Sequence, residues 1–320
     1  MSVSTLHAGH AIPGATSATS TPAGAGALLP RPLTTTVPKE LVHRASLAEV
    51  MLTGWEPAGG HRFAVSAQWP RGHRLFAADG RYHPLIAAET IRQAGILLAH
   101  TEYGVPLDRQ LLVRDLRVHV RPEHLGIGWT PATLELRVDA TPVARHGSTP
   151  AGLRVEVEIH REGRPAATGG ATLAWAAPPA HPPLPPGRGR PRVIALTAPV
   201  PPHSAGRLSP ADVVLSATGQ EDRWRLRVDI EHPAFFDRPV GHVPAMMLLE
   251  AVCQSTAALL GRPCVPLGIT TEFLRETALS SHCVIEACRV PGTGAAESVL
   301  VSGHQDAKPV FRSTVSVAAR

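Results

Sequence analysis

Two stretches of this chain are apolar on nearly every side, and most of the rest alternates between apolar and polar. Residues 84–100 (PLIAAETIRQAGILLAH) and 243–261 (VPAMMLLEAVCQSTAALLG) have helical length, and a helix apolar almost all round is a buried one. The pattern predicts helices from Pro84 to about His100 and from Pro244 to about Leu260. Pro84 suits a first helical turn, where its missing N–H costs nothing. Period-two alternation predicts strands over 61–69, 110–120, 132–140, 153–161 and 166–176 in the first half. In the second half it predicts strands over 224–231, 267–274, 282–289, 298–304 and 310–318.

The order strand, irregular approach, buried helix and run of strands therefore occurs twice. Each helix carries one carboxylate, Glu89 or Glu250, and a Gln four residues later, Gln93 or Gln254; both pairs are separated by 161 residues. A strand meander around a buried helix covers one face of its sheet, which fits the alternation. The fold class expected is α+β, a tandem double hotdog in which each repeat is a long buried helix wrapped by an antiparallel sheet. The two repeats are expected to pack as an internal pseudo-dimer, and the oligomeric state is left open.

Composition sets the boundaries. Residues 1–36 are Ala, Gly, Ser, Thr and Pro with almost no charge and are expected to lack fixed structure. Residues 178–210 are too rich in Pro for a helix interior or central strand and are expected to be a linker. The first repeat is then 37–177 and the second 211–320. The net charge of +5 is carried by scattered Arg with no aromatic-interleaved basic patch, which argues against nucleic acid as a partner. The four Cys lack zinc-type spacing, so no metal is expected and reduced thiols are. No signal peptide is legible, and both apolar helices are too short and too interrupted to span a membrane. A cytoplasmic protein without a membrane partner and without a cofactor is the expectation.

The chemistry gathers on the two helices. Burying an ionised carboxylate is costly, so Glu89 and Glu250 are the candidate catalytic groups. Burial gives each a reason for a raised pKa, which would suit a general base. Arg92 shares a helix face with Glu89 and offers bidentate contacts to phosphate or carboxylate; the plainer reading is a helix ion pair. Glu250 has no Arg at that spacing, because Cys253 stands there. Cys253 reads as a buried inert thiol. His83 and His242 precede the helices and either position the turn or touch substrate. Gln93 and Gln254 are expected to hold backbone or carboxylate in place, and His232 to cap a turn or face solvent. Unsatisfied N–H groups at the start of a buried helix form a cradle for a carbonyl oxygen.

The two motifs, His83-Pro-Leu-Ile-Ala-Ala-Glu89-Thr-Ile-Arg92-Gln93 and His242-Val-Pro-Ala-Met-Met-Leu-Leu-Glu250-Ala-Val-Cys253-Gln254, resemble those of the A-factor synthase family of actinomycetes. The resemblance runs from about Val37 to the C-terminus. It departs where the family has Arg, at Cys253, and where it has Gly, at Ala245. The resemblance implies an acyltransferase that moves a β-ketoacyl group from an acyl-carrier-protein or CoA thioester onto the hydroxyl of dihydroxyacetone phosphate. The product would be a precursor of butenolide, γ-butyrolactone or furan signalling molecules. In the second motif either an Arg-dependent role has been lost or the Arg is supplied from elsewhere, with Arg238 and Arg275 as candidates. The competing readings are a hotdog thioesterase or dehydratase and a non-catalytic module that binds acyl chains or carrier protein.

Overall fold

In the computed structural model, residues 35–144, 150–175, 193–291 and 296–318 are described. The expected low-complexity segment lies outside them apart from its last two residues. The first half contains strands β1 (Leu52–Pro57) and β2 (Arg62–Trp69), a small hairpin of β3 (Ala77–Ala78) and β4 (Arg81–Tyr82), helix α1 (Leu85–Thr101), and strands β5 (Leu111–Val120), β6 (Ala132–Ala144), β7 (Pro150–Arg161) and β8 (Arg164–Trp175). The second half contains β9 (Leu215–Ala217), β10 (Arg223–Leu226), helix α2 (Ala245–Leu260), and β11 (Pro266–Phe273), β12 (Cys283–Val290), β13 (Ala296–Gln305) and β14 (Lys308–Ala318).

Twelve strands form one sheet in the order β1-β2-β6-β7-β8-β5-β11-β14-β13-β12-β10-β9. Read from its centre outward, the order is the same in both halves. The centre is the antiparallel pair β5 and β11, with Thr270 opposite Arg117. Inward-facing apolar positions alternate with outward polar ones, as in β2, and the apolar set packs on the two helices. Most of α1 and α2 is buried, including Glu89, Gln93, Glu250 and Gln254. Gly95 in α1 reflects this close packing, since a Cβ there would lie 2.8 Å from a methyl of Leu173 on β8. No helix among the described residues is long and apolar enough to cross a membrane.

Four parts of the chain differ from expectation. The strand predicted over 224–231 stops at Leu226, and Asp229 then closes a turn by accepting from the amide of Glu231 at 3.0 Å. Strands β1 and β9 carry no alternation long enough to read, and each pairs along one side only, as a sheet edge. In the segment expected as a linker, 178–192 lies outside the described residues. The remainder, 193–210, is laid on the second half: the amide of Ile194 donates to the Leu279 carbonyl at 3.3 Å, and that of Val200 to the Leu215 carbonyl at 2.9 Å.

Candidate active site

Each buried carboxylate meets an Arg that comes from well before its helix. Glu89 accepts from Arg44 (Nη2 to Oε1, 2.7 Å), from Arg92 (Nε to Oε2 and Nη2 to Oε1, both 2.8 Å) and from Gln93 (Nε2, 2.6 Å). Glu250 accepts from Arg207 through Nε at 2.5 Å and through Nη2, and from Gln254 at 2.6 Å. The two Gln repeat the same bonds. Gln93 donates to the Glu49 carbonyl and accepts from the Met51 amide; Gln254 donates to the Asp212 carbonyl and accepts from the Val214 amide. Arg44 and Arg207 stand 163 residues apart, in Arg44-Ala-Ser-Leu-Ala-Glu49-Val and Arg207-Leu-Ser-Pro-Ala-Asp212-Val. That repeat was legible in the sequence and was the missed signal.

The environment reverses the expected acid–base behaviour of Glu89. Burial alone would raise its pKa, but the charges of Arg44 and Arg92 and the bonds from Arg92 and Gln93 outweigh it and hold the carboxyl at about 2. Glu89 is thus an ionised anchor for two guanidiniums, not a carboxyl with a raised pKa. The missing partner of Glu250 is Arg207, and neither Arg238 nor Arg275 plays that part.

The halves are interlocked. Arg44 also donates to the Ala234 carbonyl (3.2 Å) and pairs with Asp237 (3.4 Å), both in the second half. Arg207 donates to the Leu75 carbonyl (3.2 Å) in the first half. Each carboxylate cluster therefore touches the approach loop of the opposite repeat. In those loops His73 and His232 are equivalent. His232, expected as a cap or a solvent-facing residue, is buried, accepts from the amides of Ala234 and Phe235, and pairs with Asp212 at 3.2 Å.

The symmetry is broken at the helix starts. His83 turns its Nδ1 back onto the Leu85 amide at 3.3 Å, closing the first turn of α1. Burial and the charge of Arg207 push its pKa well below the usual histidine value. Its counterpart His242 instead faces Gln110, with 3.3 Å between Nδ1 and the amide nitrogen. The first turn of α2 has no side-chain cap. A cavity of about 130 Å³ opens there, bounded by His43, Arg44, Arg92, His242 and the first residues of α2. Arg238 and Arg275, both exposed, also line it. Surrounding protein, then Arg92 and Arg44, pull the Arg238 pKa down to about 10, with Asp237 opposing. It remains a cation at neutral pH, crowded by like charge that a bound anion would relieve.

Of the residues singled out in the sequence, Glu89, Arg92, Gln93, His242 and Arg275 thus meet at one cluster with a cavity. Glu250, Gln254 and His83 meet at the other. There Cys253 takes the place of Arg92, and burial followed by the charge of Glu250 pushes its thiol well above the usual range. The A-factor biosynthesis hotdog domain matches residues 28–176 and 191–310. The chain belongs to this family. It is 46% identical over 87% of its length to a 2-oxo-3-(phosphooxy)propyl 3-oxoalkanoate synthase of Streptomyces virginiae, of which it covers 96%. It is 41% identical over 88% of its length to the synthase of the same name from Streptomyces coelicolor, of which it covers 91%. Among solved structures, an acyl-ACP thioesterase from Bacteroides thetaiotaomicron is similar with a TM-score of 0.49 at 12% identity, covering 79% of this chain and 97% of that one.

Proposed function

We propose that this member of the A-factor biosynthesis hotdog family is an acyltransferase that joins a β-ketoacyl thioester to dihydroxyacetone phosphate, giving a 2-oxo-3-(phosphooxy)propyl 3-oxoalkanoate. The printed name of its relatives supports the product. The observation that carries the site is the cavity between the Arg44, Arg92 and Arg238 guanidiniums and the uncapped start of α2. Five arginines line the cavity (Arg44, Arg92, Arg114, Arg238 and Arg275) against Asp237 and Glu276, with Glu89 behind them, which leaves charge for a phosphate. Ala245 and Met246 also line the cavity and open α2, and first-turn amides of a helix have no intrahelical partner and can receive a carbonyl oxygen that becomes an oxyanion. The acyl donor is carried on acyl-carrier protein or CoA, and the free thiols fit a cytoplasmic reaction.

The hydroxyl oxygen of the acceptor attacks the thioester carbonyl and gives up its proton. The tetrahedral intermediate collapses with loss of the thiolate, which takes that proton back, leaving ester and thiol. We assign the proton transfer to His43. Both oxygens of Glu89 are already taken by Arg44, Arg92 and Gln93. His43 Nε2 lies 2.8 Å from His100 Nε2, and His100 Nδ1 lies 2.6 Å from the Val105 carbonyl. That carbonyl can only accept, so in the neutral pair His100 donates to it, His43 donates to His100, and the lone pair of His43 Nδ1 is left over. Burial, then the charge of Arg238, with smaller contributions from the neighbouring His100 and from Arg92, holds the His43 pKa at about 3. A phosphate bound against Arg238 and Arg92 offsets two of those charges and makes His43 more basic when the acceptor is in place.

The function is tested with a β-ketoacyl thioester supplied with and without dihydroxyacetone phosphate. Thioester loss that needs the phosphate and yields the ester is expected; equal loss without it would make the protein a thioesterase. In the same assay His43→Gln is expected to lower kcat by roughly 10²- to 10⁴-fold with little change in KM. Unchanged kcat would remove His43 from the chemistry.

A further inference from the structure

Thr277 carries a buried hydroxyl that bonds to nothing among the described residues. It is 1% exposed, and its Oγ1 has no hydrogen-bond partner. Such a group is rare, because an unmade bond leaves the whole desolvation penalty in place. The residue also lines the cavity beside the start of α2. Its backbone is firmly held: the Thr277 carbonyl accepts from the Val243 amide at 2.9 Å. The adjoining Ala278 is clamped on both sides by Gln305, which accepts from its amide and donates to its carbonyl, each at 2.9 Å. An unpartnered hydroxyl on rigid backbone, in a residue that lines a cavity, is positioned to meet a ligand with little rearrangement.

We propose that Thr277 is the residue that selects a 3-oxoacyl donor, its hydroxyl donating a hydrogen bond to the 3-oxo oxygen. The inference rests on the transferase reading and deepens it. A plain acyl thioester has one carbonyl oxygen, which the amides of Ala245 and Met246 receive. A 3-oxoacyl thioester has a second, two carbons further along the acyl chain, and only this donor satisfies Thr277 as well. A site built to bond a substrate oxygen discriminates strongly against the analogue that lacks it, because its own polar group is then left unpaired. Rejection of plain acyl donors therefore follows from the same orphan hydroxyl that makes the empty site polar.

The test compares wild type, Thr277→Val and Thr277→Ser. The donors are a 3-oxoacyl and a saturated acyl thioester of equal chain length, each supplied on carrier protein and on coenzyme A, with dihydroxyacetone phosphate as acceptor. Thr277→Val is expected to lower kcat/KM for the 3-oxoacyl donor by about 10- to 100-fold and to leave that for the saturated donor unchanged or higher. Thr277→Ser is expected to keep the preference. The Thr277→Val unfolding midpoint is expected to match or exceed that of wild type, since an unpaired buried hydroxyl is removed. Equal loss for both donors, an unchanged preference, or a clear fall in the unfolding midpoint would each overturn the assignment. Wild type that forms no ester from either donor would instead overturn the transferase reading, and this inference with it.

Discussion

Replacing Glu89 by Gln is expected to reduce ester formation by on the order of a hundredfold or more and to cost roughly 3–5 kcal/mol of stability. Both losses have one origin. Arg44 and Arg92 are held by the same fully buried carboxylate. Without it two guanidiniums remain in a poorly solvated place, and neither keeps the position from which it meets a phosphate. The pH dependence of stability gives a separate reading of the same group. The Glu89 carboxyl sits at about 2 in the folded protein against an ordinary value of 4.5. Its contribution is therefore fully present above pH 4.5 and is lost as pH falls toward 2, with a size of about 3 kcal/mol. Denaturant unfolding across that window is expected to show wild type losing this increment and Glu89→Gln lacking it from the start. Parallel acid limbs would contradict the account of Glu89 as an ionised anchor.

The second cluster is expected to behave differently. Glu250→Gln alone should destabilise by roughly 3–5 kcal/mol, because it strands buried Arg207. Replacing both partners, Arg207→Met with Glu250→Met, should recover most of that loss, since an apolar pair of similar volume needs no desolvated charge. The doubly substituted protein is expected to retain ester formation within a few-fold. Three observations motivate this. Cys253 occupies the place of Arg92, and its thiol is buried with a raised pKa. Neither helix has a side-chain cap at its N-cap residue, but the Leu85 amide of α1 donates to His83, whereas His242 faces Gln110 and not α2. Arg207 also secures the Leu75 carbonyl, so its work is to brace one repeat against the approach loop of the other. Thermal unfolding and the transferase assay on the same preparations check both halves of the expectation.

The double helix-and-sheet plan was legible because it is written in periodicity. Seventeen consecutive helical residues of α1 are nearly all buried, and the long strands alternate cleanly. The edge strands were not legible, since β9 has three residues and β1 is half-buried throughout most of its length. The candidate site was half legible. Glu89, Arg92 and Gln93 share one helical face, which spacing alone establishes. Arg44 and Arg207 lie 45 and 43 residues before their carboxylates, and no local rule links positions that far apart. Comparing the repeats with each other would have found them, because Arg, Ser, Ala, an acid and Val recur in register. The crossing of His83 and His242 to opposite clusters was beyond spacing altogether. It depends on how the two repeats face one another, and adjacency along the chain pointed each His to its own helix. The pKa of Glu89 was misjudged for the same reason: burial is written in the sequence around it, but Arg44 is not.

The two clusters repeat one arrangement, but only that of Glu89 borders the cavity proposed to hold substrate, while Arg207 of the other braces one repeat against the other. The most direct measurement compares ester formation from a β-ketoacyl thioester and dihydroxyacetone phosphate by two matched doubly substituted proteins. Arg44→Met with Glu89→Met is expected to fold and to form no ester, while Arg207→Met with Glu250→Met is expected to fold and form it. Activity in the first protein and its loss in a folded second one would contradict the assignment and place the reaction at the cluster of Glu250.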